Sequence, residues 1–546
     1  MIIHLILSYI FLSTCKAQNA KNNYIPLKTL TIDKTLKVKE YLGIPYAQPP
    51  VGELRFSSPK RVTLPTEENK FYASTPAASC PQGTLNASIP DPNLWITSVK
   101  NISEDCLQLN MWVPEKKTGA VFVHFCGDSY STLSASHDYF NGSIFAAYSK
   151  AIVVNVNFRL GPLGFARLND SSIKGNMGLM DQQVALKWVY KNIESFGGDK
   201  SKITLMGIQT GASSAQAHMY SKISTKYFSR IALISGVLQN TWASRKNLIT
   251  EVLSAYLANL FGCENESDKR LKCLRSLSFD EIMKKEEFIR EEFEANFGYT
   301  FSITRNDGAF FCNDFRKSKY KKSSIDVLVG NSLNEGSFFT WYFFRDQGCK
   351  LDVSGKKVTG DCNFDEKRYN TIINIVKGVF NKTDEWAYKV KTNYNTTNPN
   401  KQEILSKFLG DVLFNCGLKH FVDSLPKRPY VYTFNHRSSA SPWPEYFGTL
   451  HAAIVEYLFG HPYRYPQRYK KEKLVEEKRL SKNVMKLYGK FADKGKTYNT
   501  WVPYTLTNSI VQDISTRFDK TKKAIKRSLL FKNCDWLIQP FADDVY

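Results

Sequence analysis

Short, almost wholly apolar runs recur along this chain with helix-like patterns between them, and that alternation is the strongest constraint on its fold. Val121-Phe-Val-His-Phe125, Ala151-Ile-Val-Val-Asn-Val156, Ile203-Thr-Leu-Met206 and Asp326-Val-Leu-Val-Gly330 read as buried strands. Met180 to Ser195 reads as a helix, with Val184, Leu186, Trp188, Val189 and Ile193 apolar. Strands alternating with helices define the α/β class. Tyr469 to Leu487 is a highly charged helical stretch and Arg517 to Arg527 resembles it; such charge runs usually mark solvated faces. No repeat and no Gly/Ser linker divides the chain, although 546 residues could hold three domains or one large unit.

Two further features concern compartment. Leu5 to Leu12 is a short apolar run followed by Cys15-Lys16-Ala17, so residues 1–17 are expected to be a signal peptide and 18–546 the mature domain. The run is too short to span a bilayer, which takes about 20 apolar residues, and no later segment is long enough. Cleavage after Ala17 removes Cys15 and leaves an even ten of the 11 cysteines, which suits disulfides in an oxidising compartment. Asn86, Asn101, Asn141, Asn169, Asn265, Asn381 and Asn395 are N-glycosylation sequons. The expected location is secreted and extracellular. The net charge of +23, from 74 basic and 51 acidic side chains, raises nucleic acid as a partner, but secretion removes most of that case. Much of the excess sits in Tyr320-Lys-Lys322, Tyr469-Lys-Lys-Glu-Lys473 and Lys520 to Arg527. Sulfated glycans or acidic cell surfaces are its expected extracellular partners.

Several segments, in order, carry a family likeness: Tyr41-Leu-Gly-Ile-Pro-Tyr-Ala-Gln-Pro-Pro50, Ser103-Glu-Asp-Cys-Leu-Gln-Leu-Asn110, Asn157-Phe-Arg-Leu-Gly-Pro-Leu-Gly-Phe165 and Gly175-Asn-Met-Gly-Leu-Met-Asp-Gln-Gln183. Trp188 and Phe196-Gly-Gly-Asp199 follow them. Together they resemble the cholinesterase and type-B carboxylesterase family over nearly the whole mature chain. The resemblance implies an α/β-hydrolase fold: one large domain, a mostly parallel central sheet flanked by helices, and a deep active-site gorge. It also implies the disulfides Cys80–Cys106, Cys263–Cys273 and Cys416–Cys534. A fourth, Cys349–Cys362, is expected because these cysteines flank a polar, glycine-containing insert; whether Cys126 and Cys312 pair is left open.

Ester hydrolysis on this fold needs a nucleophile on a sharp strand-to-helix turn, a histidine base, a carboxylate behind it, and backbone N–H groups aimed at the oxyanion. Gly207-Ile208-Gln209-Thr210-Gly211 stands in place of the Gly-x-Ser-x-Gly elbow, so the nucleophile position holds Gln209, whose carboxamide is no nucleophile at neutral pH. The resemblance carries the acid to Glu335 and the base to His451. The family's glycine run is replaced by Cys126-Gly127-Asp128-Ser129-Tyr130, the hole positions carried over are Gly127, Asp128 and Thr210, and a carboxylate at Asp128 would repel developing negative charge. The acidic residue before the nucleophile is Ile208. The chain is therefore expected to be a catalytically inactive relative in which Gln209, Glu335 and His451 are simply hydrogen-bonded. Thr210, Ser213 and Ser214 are the hydroxyls close enough to consider as substitutes, and all are expected to point elsewhere.

Trp95, Trp242, Phe338 and Phe339 match pocket-lining aromatics, which could bind a cationic ligand through their ring faces or simply fill a closed core. No metal or cofactor is expected. The expected function is binding of a small ligand or a protein partner; the alternative is an active carboxylic ester hydrolase with a substituted nucleophile.

Overall fold

The computed structural model describes residues 22–83, 99–263, 266–293, 299–320, 324–352, 357–518 and 531–539. A 10-stranded sheet runs through the molecule. Its strands are β1 (Lys28–Ile32), β2 (Leu36–Pro45), β3 (Gln108–Pro114), β4 (Val121–Phe125), β5 (Ile152–Val156), β6 (Ile203–Ile208), β7 (Arg230–Ile234), β8 (Asp326–Ser332), β9 (Tyr430–Phe434) and β10 (Gln512–Ile514). Their spatial order is β1-β2-β3-β5-β4-β6-β7-β8-β9-β10, inverted once between β4 and β5. All pairings from β5 through β10 are parallel, whereas β1, β2 and β3 extend the sheet in antiparallel fashion. This is the α/β-hydrolase architecture, a mostly parallel sheet between helical layers in one domain.

The expected strands are present because their alternate side chains feed two different apolar layers. On β4, Val121, Val123 and Phe125 join one layer and Phe122 the other. On β5, Ile152, Val154 and Val156 face the first layer and Val153 the second. A strand buried on both faces reads as a continuous apolar run for this reason. Helix α1 (Met177–Asn192) covers the first layer through Met177, Leu179, Leu186 and Val189. The long helix α4 (Leu474–Lys494) covers the second through Leu480, Val484, Leu487 and Phe491, the i, i+4, i+7, i+11 spacing of one helical face. Two shorter helices, α2 (Thr210–Ala217) and α3 (Gly336–Phe344), start where β6 and the loop after β8 end, and they position the candidate site.

A buried ion pair fixes the loop ahead of α1. Arg159 donates from Nε to Asp181 Oδ2 at 2.8 Å and from Nη2 to Oδ1 at 2.7 Å, and its backbone N–H also reaches Oδ2 at 3.1 Å. Both residues are buried. Four disulfides are formed: Cys80–Cys106, Cys263–Cys273, Cys349–Cys362 and Cys416–Cys534. The last joins residues 118 positions apart, so it ties the C-terminal segment to the body. Cys126 and Cys312 do not pair; Cys126 is buried and Cys312 exposed. Among the described residues no helix is long and apolar enough to cross a membrane.

Removing one member of a buried bidentate pair leaves an uncompensated charge. Asp181→Ala should therefore lower stability by about 3–5 kcal/mol, read as a fall in the urea midpoint. An unchanged midpoint would show that Arg159 finds another partner.

Candidate active site

Strand β6 breaks into α2 at Gln209, and the geometry of that break is severe. Gln209 has φ 49° and ψ −112°, outside the regions a side-chain-bearing residue ordinarily occupies. Two glycines make it possible: a Cβ on Gly207 would lie 2.1 Å from the Gly211 carbonyl carbon, and one on Gly211 would lie 2.5 Å from the Phe125 carbonyl oxygen. The sharp strand-to-helix turn is thus built in full around Gln209.

The Gln209 side chain is buried and turns back on its own turn. Its Oε1 accepts hydrogen bonds from the backbone N–H of Thr210 and from that of Ser129, both at 3.1 Å. Two converging N–H donors require the carboxamide oxygen at this place rather than its NH2. The NH2 group instead donates to the Tyr299 hydroxyl oxygen. The Ser129 and Thr210 N–H groups thus converge on an oxygen of the protein itself.

The loop after β4 supplies Ser129, not Asp128, to this arrangement. The Asp128 N–H is committed to the Thr132 carbonyl at 2.9 Å in a short bridge. Ser129 and Tyr130 follow with φ 52° and 55°, a left-handed step that turns the Ser129 N–H inward. Gly127 packs so closely against the Phe158 ring that a Cβ would sit 2.5 Å from it. The Asp128 side chain is buried and its Oδ1 accepts from the Ser129 N–H at 2.8 Å. Burial raises its pKa from 3.8 to about 6, against the opposing pull of His451 and the Ser129 N–H.

Behind the elbow, Glu335 and His451 meet. His451 Nδ1 hydrogen-bonds Glu335 Oε2, and Glu335 Oε1 accepts from the Ser235 hydroxyl and the Ser332 N–H, both at 2.6 Å. Both side chains are buried. The His451 ring packs on Phe339, 5.2 Å between centroids, and on Phe414, at 4.8 Å. The substitute hydroxyls are engaged elsewhere: Thr210 Oγ1 donates to the Gly127 carbonyl at 3.3 Å, and Ser213 Oγ bonds the Tyr130 hydroxyl at 2.7 Å. Ser214 is buried within α2.

Of the expected pocket aromatics, Trp242 is buried, donates to the Leu413 carbonyl at 2.9 Å and meets Tyr299 and Phe414, both at 5.8 Å. Phe339 lies against His451, but Phe338, one helical step away, turns to Trp341, Tyr342 and Trp443. The two phenylalanines therefore face different surroundings, because neighbours on a helix point about 100° apart. Trp95 lies outside the described residues, as do Asn86 and Asn265. Asn101, Asn169, Asn381 and Asn395 are exposed; Asn141 is half-buried and its Oδ1 accepts from Arg464 at 2.9 Å. Ser129 lies in the segment that replaces the family's glycine run, although its N–H was given no part there; Tyr299 and Phe414 carry no motif and were missed.

The carboxylesterase family model matches residues 28–531. The chain belongs to the carboxylesterase family. Within this family it is 31% identical over 509 residues to "Cholinesterase" of Mus musculus, covering 88% of this chain and 80% of that one. It is 30% identical over 488 residues to "Acetylcholinesterase 4" of Caenorhabditis briggsae, covering 84% and 78%. "Acetylcholinesterase 1" of the same nematode matches at 31% identity, covering 83% of this chain and 75% of that protein.

The raised pKa of Asp128 has a defined sign. Between its usual value and about 6 the native state holds a proton that the unfolded chain releases, so stability falls as pH rises through this window. Asp128→Asn should thus stabilise this carboxylesterase-family protein by about 3 kcal/mol at pH 7.5, with the gain shrinking towards pH 4. Urea midpoints of both proteins at the two pH values read this out, and a gain equal at both would remove the titration of Asp128 as its cause.

Proposed function

We propose that this protein is a secreted, catalytically inactive member of the carboxylesterase family that binds a ligand or a protein partner. One observation carries the reading: the Gln209 carboxamide oxygen accepts from the Ser129 and Thr210 N–H groups, where a hydrolase would hold the transition-state oxyanion. Loss of a nucleophile alone leaves a site able to polarise a carbonyl. Here the polarising donors are also occupied, and a buried carboxyl stands beside them at Asp128. The pairing of His451 with Glu335 then serves to satisfy two buried polar groups rather than to move a proton.

The extracellular placement rests on the four disulfides, the four exposed sequons and the apolar run near the N-terminus, with residues 1–17 as signal peptide and 18–546 as the mature domain. A small ligand would meet the aromatic surroundings of His451, namely Phe339, Phe414 and, through Tyr299, Trp242. Sulfated glycans or acidic cell surfaces are the partners its charge fits.

The second reading, an active ester hydrolase with a substituted nucleophile, is favoured by the retained Glu335–His451 pair. The two separate on one experiment. Purified protein should show no hydrolysis of simple aryl esters above that of a His451→Ala variant, and no covalent label from an organophosphonate. Turnover that disappears in His451→Ala, or a labelled hydroxyl found by peptide mapping, would establish the hydrolase instead.

A further inference from the structure

Away from Gln209, a bowl of about 450 Å³ lies where the loop following β9 meets the start of α4. His436, Arg437 and Ser438 form one side of it, and the same three residues wall a smaller cavity of about 70 Å³ that reaches His451 from behind. Lys470, Lys473 and Arg517 also line the bowl and are exposed.

The charges of this bowl are unbalanced in an informative way. Arg437 is half-buried; one Nη donates to the Trp443 carbonyl, while its Nε is buried with no hydrogen-bond partner among the described residues. Among those residues no carboxylate forms an ion pair with Arg437, Lys470, Lys473 or Arg517. The two acids of the bowl already have partners. Glu477 accepts from the Ser439 N–H at 2.9 Å and the Tyr457 hydroxyl at 2.7 Å, and Glu476 lies 3.8 Å from Arg479. Helix α4 also opens here, at Lys473, with no side-chain cap. The planar fork of a half-buried guanidinium suits oxygens held in pairs.

We propose that this bowl is a binding site for sulfated glycan chains, with Arg437, Lys470, Lys473 and Arg517, which line it, holding the separate anionic groups. The inference deepens the extracellular reading above and rests on it for the choice of sulfate. A recessed guanidinium flanked by point charges suits an extended ligand whose separate anionic groups can enter a concavity, more than the plane of a bilayer.

The test uses the secreted full-length protein and a size-defined heparin octasaccharide. Arg437→Gln combined with Lys473→Gln should weaken binding about tenfold at about 0.15 M salt, whereas Lys272→Gln with Lys367→Gln, the same charge change on distant exposed sites, should leave it within about twofold. Arg437→Lys should fall between, since it keeps the charge and loses the fork. The exposed pair Lys470→Gln with Arg517→Gln gives an independent reading if the Arg437 variants melt early, and should also weaken binding. Equal loss in the bowl and distant variants would reduce the effect to generic charge and overturn the site. So would equal binding of desulfated heparin, or capture by phosphatidylserine vesicles through Arg437 with no octasaccharide binding. Ester hydrolysis by a protein that still binds the octasaccharide through the bowl would overturn the inactive reading and leave this site standing.

Discussion

The turn at Gln209 is the constraint on which the rest of the centre depends. It is held by the parallel pairing of β6 with β4 and β7 and by the absence of a Cβ at Gly207 and Gly211. Because the sheet fixes where β6 ends, the first N–H of α2 must point at the Gln209 side chain, and the loop after β4 must pass beside it. Backbone strain of this kind costs about 1–3 kcal/mol and persists only where the surrounding structure over-determines it. In this chain the strained turn is held by packing and by the hydrogen bonds that the Gln209 carboxamide makes.

The fold was largely legible because its signal is simple. Buried parallel strands are continuous apolar runs, and each of the four expected runs is a strand of the sheet, with β6 running on to Ile208 and β8 to Ser332. Boundaries were less legible where conformation, not polarity, sets them. The helix expected from Met180 starts at Met177, since Asn176 enters it in the left-handed region, and its helical hydrogen bonding tightens at Ile193 before Gly197 stops the chain. The charged stretch expected from Tyr469 becomes helical only at Leu474 and continues to Lys494, where Gly495 ends it. A charge pattern marks a solvated face and carries no record of where the first turn closes.

At the candidate site the side chains were legible and the backbone was not. Gln209, Glu335 and His451 were singled out from segments that resemble the family's, and the structure brings Glu335 and His451 into hydrogen-bond contact. The donor from Ser129 could not be singled out this way, since it is a main-chain group whose direction follows from two consecutive left-handed residues. Tyr299 was equally hidden: it lies 90 positions from Gln209 and belongs to no motif.

The carboxamide of Gln209 is attached to the very turn whose N–H groups it accepts from. A tethered group competes with free molecules at an effective concentration far above any they can reach in solution. An outside oxygen would therefore have to displace a neighbour covalently joined to the turn before it could meet the Ser129 and Thr210 N–H groups.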